Sequence, residues 1–166
     1  MPRLAVLVAT LLACLVLAPA FAADSSLSPQ ANMAFLEANA KKPGVITRPS
    51  GLQYRIIRNG FGKRPGALDS VVVSYKGSLI NGTVFDQTEP GLPASFVVNK
   101  LIPGWTEALE IMKEGDHWEL VIPAGLGYGP RGAGGVIPPD QTLVFDLELV
   151  KVTPETKDQD QDQNSQ

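Results

Sequence analysis

At 166 residues the chain is about one domain long, and its formal net charge of -3, with no basic stripe carrying interleaved aromatics, argues against nucleic acid as a partner. It contains one cysteine, Cys14, and one histidine, His117. Zinc sites built on two or three histidines are therefore excluded, and a serine triad has only His117 to pass through.

Met1-Pro2-Arg3 gives a positive start, Leu4 to Leu17 is an apolar run, and Ala20-Phe21-Ala22 ends it with the small-x-small pattern of a signal peptidase site. Residues 1–22 read as a signal peptide cleaved after Ala22, so an exported, periplasmic protein is expected. The run is short against the roughly 20 apolar residues of a membrane span, and stable membrane insertion is not expected. Counting on to Ala23 keeps an uncleaved anchor open. A lipid anchor on Cys14 fits less well, because Leu15 to Ala23 stays apolar. Cleavage would remove Cys14 and leave no thiol for a disulfide or a thiolate metal site.

Residues 23–43 form a short N-terminal segment in which Met33, Phe35, Leu36 and Ala40 fall near helical spacing before Pro43-Gly44 stops the run. This predicts a short amphipathic helix. Its apolar face either packs on its own domain or meets a second subunit.

Beyond Ser50-Gly51 the pattern changes to alternation. Leu52, Tyr54 and Ile56 alternate with Gln53 and Arg55, and Val71, Val73 and Tyr75 alternate with Val72, Ser74 and Lys76, which turns Tyr75 inward with two valines. Asn81-Gly82 is a hairpin-type turn, because both residues tolerate positive φ. Asn81-Gly82-Thr83 also matches a glycosylation acceptor, but the turn accounts for these residues without a sugar. Ala94 to Val98 reads as a short strand. Pro103-Gly104 then opens a helix with Trp105, Leu109 and Met112 at i, i+4 and i+7, closed by Gly115. Trp118, Leu120 and Ile122 alternate, as do Leu143, Phe145, Leu147 and Leu149. Antiparallel strands with one helix packed across them define an α+β domain over residues 44–153. Residues 154–166 are rich in Asp and Gln and nearly without apolar side chains, so they read as a disordered tail.

Val121 to Gly129 and Gly135 to Pro139 are too rich in Gly and Pro for helix or central strand, and they place Tyr128 and Ile137 around a loop that can wall an apolar pocket. Gly127-x-Gly129-x-x-Gly132 matches a dinucleotide fingerprint only formally, since Pro130 and the following glycines deny it a helix N-terminus. His117, at a strand start between Asp116 and Trp118, reads as an exposed surface histidine. What remains is a pocket with inward Trp105, Tyr75, Phe85 and Phe145 and few polar groups, suited to an apolar ligand. Taken alone, Trp105, Phe85 and Phe145 fit a plain core better than a pocket. Rotation about an X-Pro bond needs little more than such a pocket. It breaks no covalent bond, its barrier of ~18–20 kcal/mol comes from amide resonance, and the twisted amide carries less charge separation than the planar one.

Val73-Ser74-Tyr75-Lys76-Gly77, Thr83-Val84-Phe85-Asp86, Leu101-Ile102-Pro103-Gly104-Trp105, Leu126-Gly127-Tyr128-Gly129, Gly135-Val136-Ile137-Pro138-Pro139 and Leu143-Val144-Phe145-Asp146 follow one another in the order and spacing of a known family. From about Gly44 to Val152 the chain resembles the FKBP-type peptidyl-prolyl cis-trans isomerases. Lys42-Pro43-Gly44-Val45 and Ser50-Gly51-Leu52-Gln53-Tyr54 are similar to the exported bacterial subgroup of the macrophage infectivity potentiator. The resemblance implies an antiparallel sheet of five to six strands curved around one short α-helix, preceded by a short N-terminal helix.

By the same resemblance Trp105 forms the floor of a proline pocket, with Tyr75, Phe85 and Phe145 as walls. Leu101 and Ile102 line the rim, and the Ile102 N–H donates to a substrate carbonyl. Asp86 orients or polarises the rotating amide, the Tyr128 hydroxyl bonds a substrate carbonyl, and Ile137 covers the pocket. Phe96 belongs to the binding set, but the segment to Leu101 is shorter than in small cytosolic members, which leaves its register open. The implied partners are proline-containing unfolded or folding polypeptides and the family's macrolide inhibitors, with no cofactor and no metal. The subgroup's long dimerisation helix is largely missing, which favours a monomer over a dimer. A holdase chaperone and an adaptor with a vestigial pocket are the rival readings, and the retention of Tyr75, Phe85, Asp86, Trp105, Tyr128 and Phe145 argues against the adaptor.

Overall fold

A computed structural model describes residues 24–155. The expected signal peptide, residues 1–22, and the 154–166 tail beyond Glu155 lie outside the described residues. The first helix, α1 (Pro29–Ala40), starts where Ser28 Oγ accepts the Ala31 N–H and Pro29 occupies the first turn, where its missing N–H costs nothing. Seven strands follow: β1 (Val45–Thr47), β2 (Gln53–Arg58), β3 (Ser70–Leu79), β4 (Val84–Gln87), β5 (Ala94–Val97), β6 (His117–Ile122) and β7 (Leu143–Thr153). The second helix, α2 (Pro103–Leu109), lies between β5 and β6.

All pairings are antiparallel, in the order β1-β2-β6-β7-β3-β4, with β5 also on β3. The expected α+β class is therefore observed. The seventh strand is short β1, whose three residues pair with Gln53–Arg55 directly after the Pro43-Gly44 break. β4 and β5 share one edge of β3: β4 runs against Lys76–Ser78 and β5 against Ser70–Val73.

The core lies between the sheet and α2, and alternation explains its membership. Val71, Val73, Leu120, Ile122, Leu143, Leu147 and Leu149 are fully buried on the inner face. A register shift opposite Val72 and Val73 inserts Val150 as an extra residue, so Val150 faces outward while Val152 returns to the core. From α2 come Trp105, Ala108 and Leu109. The helix is shorter than its apolar spacing predicts, ending at Leu109. Met112 still packs fully buried one turn further on, its N–H donating to the Ala108 carbonyl, and beyond it the Lys113 N–H donates to Asp116 Oδ2.

The docking of α1 differs from its expected amphipathic pattern. Its buried residues are Asn32 and Asn39, seven positions apart on one face, while Met33 is 63% exposed. Asn32 Oδ1 accepts the Thr142 N–H at 2.8 Å, and its amide donates to Gln141 Oε1 and to the Leu27 carbonyl. Asn39 donates to Gln53 Oε1, and Gln53 Nε2 donates to the Leu36 carbonyl. Polar groups thus attach the helix to its own domain. No described helix is long and apolar enough to cross a membrane.

Candidate active site

Trp105 sits in the first turn of α2, where Gly104 lets the helix approach Ile122 of β6 closely. Three rings stand nearly perpendicular to it. Tyr75 is 5.1 Å away at 88°, Phe145 is 5.2 Å away at 81°, and Phe96 is 6.2 Å away at 86°. Phe85 stands edge-on to Phe145 at 5.6 Å. Such edge-to-face pairs set ring edges against ring faces and fix the box without a central void-filling side chain. The Trp105 Nε1 is buried and has no hydrogen-bond partner among the described residues, so the indole offers its ring rather than its N–H.

Gly77 makes this arrangement possible. A Cβ there would lie 2.7 Å from ring carbons of both Phe85 and Phe145, so the glycine on β3 is the space into which these walls lean. Two positions earlier on β3, Tyr75 turns inward beside Val73, as its alternation predicts.

The rings enclose a cavity of about 250 Å³ that brings together nine of the ten residues singled out from the sequence. Phe96 is among them, opposite Val71 in the β3–β5 register, so the short segment after it does not displace it. Ile137 is the tenth. It is 5% exposed, packs in the core, and lines an adjoining hollow that shares Phe85, Asp86 and Tyr128 with the main cavity. Sequence reasoning missed Lys100, which also lines the cavity. Its signal was weak, a single cation before the Leu101-Ile102 rim.

Polar groups gather at the mouth. The Tyr75 hydroxyl donates to Asp86 Oδ2 at 2.6 Å. Burial, followed by this bond and the Asp86 charge, raises the Tyr75 pKa well above its ordinary value, so the hydroxyl stays a donor. Asp86 Oδ1 and the Ile102 N–H have no hydrogen-bond partners among the described residues, and both remain available to a ligand. Tyr128 is 40% exposed at the junction of the two hollows. Its loop is folded back by reciprocal bonds between Ala133 and Ile137, at 2.9 and 3.0 Å. Gly132 permits that return, with φ 60° and no room for a Cβ, which would meet the Ile137 carbonyl at 2.1 Å.

His117 differs from its expected exposed position. It is half-buried, and Nε2 lies 2.8 Å from Asp146 Oδ1. Among the described residues no group of three or more His, Cys, Asp and Glu side chains is gathered to hold a metal ion.

A seven-stranded antiparallel sheet with α2 packed against it thus carries an aromatic cavity with a few polar groups at its mouth, an arrangement suited to an apolar ligand group. The family model described as FKBP-type peptidyl-prolyl cis-trans isomerase matches residues 62–150, and the one described as the domain amino terminal to it matches residues 19–56. The outer membrane protein MIP of Legionella longbeachae is 56% identical over 120 residues, covering 72% of this chain and 52% of that protein. The FKBP-type 22 kDa peptidyl-prolyl cis-trans isomerase of Escherichia coli is 55% identical over 119 residues, covering 71% and 58%. A crystal structure of a peptidyl-prolyl cis-trans isomerase from Pseudomonas syringae pv. tomato superposes with a TM-score of 0.71 at 39% identity, covering 75% of this chain and 92% of that one. The chain belongs to the FKBP-type peptidyl-prolyl cis-trans isomerase family. It spans about half the length of the curated relatives it matches.

Proposed function

We propose that the protein accelerates cis–trans rotation of X-Pro bonds in polypeptides by non-covalent means. The observation that carries this reading is the aromatic box on Trp105, with Asp86 Oδ1 and the Ile102 N–H unused at its mouth. The proline ring packs on the Trp105 face between Tyr75, Phe96 and Phe145. The dry walls penalise the planar amide, with its greater charge separation, more than the twisted one. Binding thereby lowers part of the ~18–20 kcal/mol barrier. The Ile102 N–H and the Tyr128 hydroxyl anchor substrate carbonyls on either side. Asp86, oriented by Tyr75, acts on the rotating amide as it loses its planar dipole.

The substrates on this reading are exported chains that still await slow prolyl isomerisation, a step of tens to hundreds of seconds unaided. The apolar run of residues 4–17 ending at Ala20-Phe21-Ala22 supports export to the periplasm. Residues 44–153 form the isomerase unit. The polar attachment of α1 to its own sheet supports a monomer. Macrolides with a proline-like ring would compete for the same box.

A protease-free assay on Ala-Xaa-Pro-Phe peptides tests the reading, with Asp86→Ala and Tyr128→Phe alongside. Wild type should exceed buffer, and Asp86→Ala should lower kcat without unfolding the domain. If wild type matches buffer while unfolded clients stay soluble in its presence, the protein is a holdase and the enzymatic reading is wrong.

A further inference from the structure

We propose that Lys100 makes the site selective for polypeptides with an acidic residue within two positions of the proline. The proposal rests on the isomerase reading and adds to it the charge of the preferred substrate. Lys100 is the one cation in the cavity lining and is exposed. The four ion pairs among the described residues do not include it.

Its position is fixed even though its side chain is in solvent. It ends the 3-10 turn Val98–Lys100. The Val98 N–H donates to the Asp69 carbonyl, the Asn99 N–H to the Ala67 carbonyl, and the Thr106 hydroxyl to the Val98 carbonyl. These three bonds tie the turn to the loop before β3 and to α2. The ammonium therefore works from a rigid base at the cavity rim.

The lining's one carboxylate arrives from the other end of β3. Asp86 lies opposite Gly77, whereas β5, which leads into the Lys100 turn, pairs with Ser70–Val73. One end of the cavity is thus negative and the other positive. The Asp86 carboxylate already accepts the Tyr75 hydroxyl, while Lys100 has no ion-pair partner among the described residues. A substrate strand whose carbonyl accepts the Ile102 N–H passes two residues from Lys100. Side chains flanking its proline then come within reach of the ammonium, and a carboxylate is the complementary group.

The test is a set of proline peptides with Glu, Ala or Lys at each of the two positions before and after the proline, assayed for kcat/KM and, by calorimetry, for binding. At low salt at least one position should favour Glu over Lys by about two- to four-fold, as an exposed ion pair allows, and the ratio should collapse in ~1 M salt. Lys100→Glu should invert that ratio. Lys151→Glu carries the same charge change on an outward position of β7 and should leave the ratio as in wild type. A Glu/Lys ratio that Lys100→Glu does not move, or that Lys151→Glu moves equally, overturns the proposal. If even the Ala peptides show no turnover above buffer, the isomerase reading fails separately, and the binding ratio still decides whether Lys100 selects charge.

Discussion

The two helices are attached to the same sheet by opposite chemistry. α2 is held by Trp105, Ala108 and Leu109 against an apolar face, and it leaves an indole N–H without a partner among the described residues. α1 is held by two asparagines that reach backbone and glutamine partners. Apolar burial is non-directional, so α2 could supply both core and pocket floor with one residue. Amide pairs are directional and fix where α1 lies without contributing to the pocket. Function and stability should therefore be coupled at α2 and separable at α1.

The largest expected effect tests the coupled side. Trp105→Ala should cost about 3–5 kcal/mol, a sizeable share of a small domain's stability, and abolish binding of proline peptides. Because that variant risks unfolding, Trp105→Phe is the informative partner. Urea denaturation should give a smaller loss, and peptide KM should still rise. A Trp105→Phe protein with wild-type KM would show that the floor is only core.

Gly77→Ala presses on the same box from β3. Its Cβ would fall 2.7 Å from both phenylalanine rings, and aromatic rings cannot bend out of the way. Overpacking of this kind costs about 1–3 kcal/mol. Activity should fall further than stability, since the displaced atoms are the pocket walls. Equal, small changes in both would mean that the rings have room to move.

On the separable side, Asn32→Ala should cost about 1–3 kcal/mol by leaving the buried Thr142 N–H without its acceptor. Hydrogen exchange at Thr142 and along α1 should speed up while peptide KM stays at the wild-type value. Asn39→Ala should cost less, because Asn39 Oδ1 already lacks a partner among the described residues and less is lost. A KM change in Asn32→Ala would break the proposed independence of the two helices.

This contrast also explains what the sequence made legible. Tyr75, Trp105 and Phe145 were readable because apolar alternation and helical spacing report directly which side chains face inward. Asn32 and Asn39 were not, since a buried amide looks like any polar residue until its partner is placed. For Asn32 that partner is more than a hundred positions away, at Gln141 and Thr142. Of the apolar set, Met33 and Ala40 are exposed while Phe35 and Leu36 are half-buried, so the apolar spacing did not single out the face that carries the two asparagines. The motif places Ile137 over the cavity, and it lines the adjoining hollow that shares Phe85, Asp86 and Tyr128 with the main one. Lys100 escaped because a lone lysine in a sequence most often belongs to a solvated surface.

The smallest predicted effect concerns Tyr75, which is both wall and donor. Burial is the leading cause of its raised pKa, followed by its bond to Asp86 and then the Asp86 charge. In the unfolded chain a tyrosine loses its proton near pH ~10, whereas folded Tyr75 keeps it to a higher pH. Between those two values the folded state binds more protons than the unfolded one, so stability declines as pH rises above ~10, and below that this group gives no slope. Urea midpoints from pH 8 to 11 should therefore fall more steeply in wild type than in Tyr75→Phe. Asp86→Asn separates the causes: it removes the carboxylate but not the burial, so its stability should begin to fall at the same pH as wild type but level off at a lower one. Parallel curves for wild type and Tyr75→Phe would mean that the hydroxyl is not held protonated by its setting. Its role as the donor that orients Asp86 would then lose its electrostatic basis.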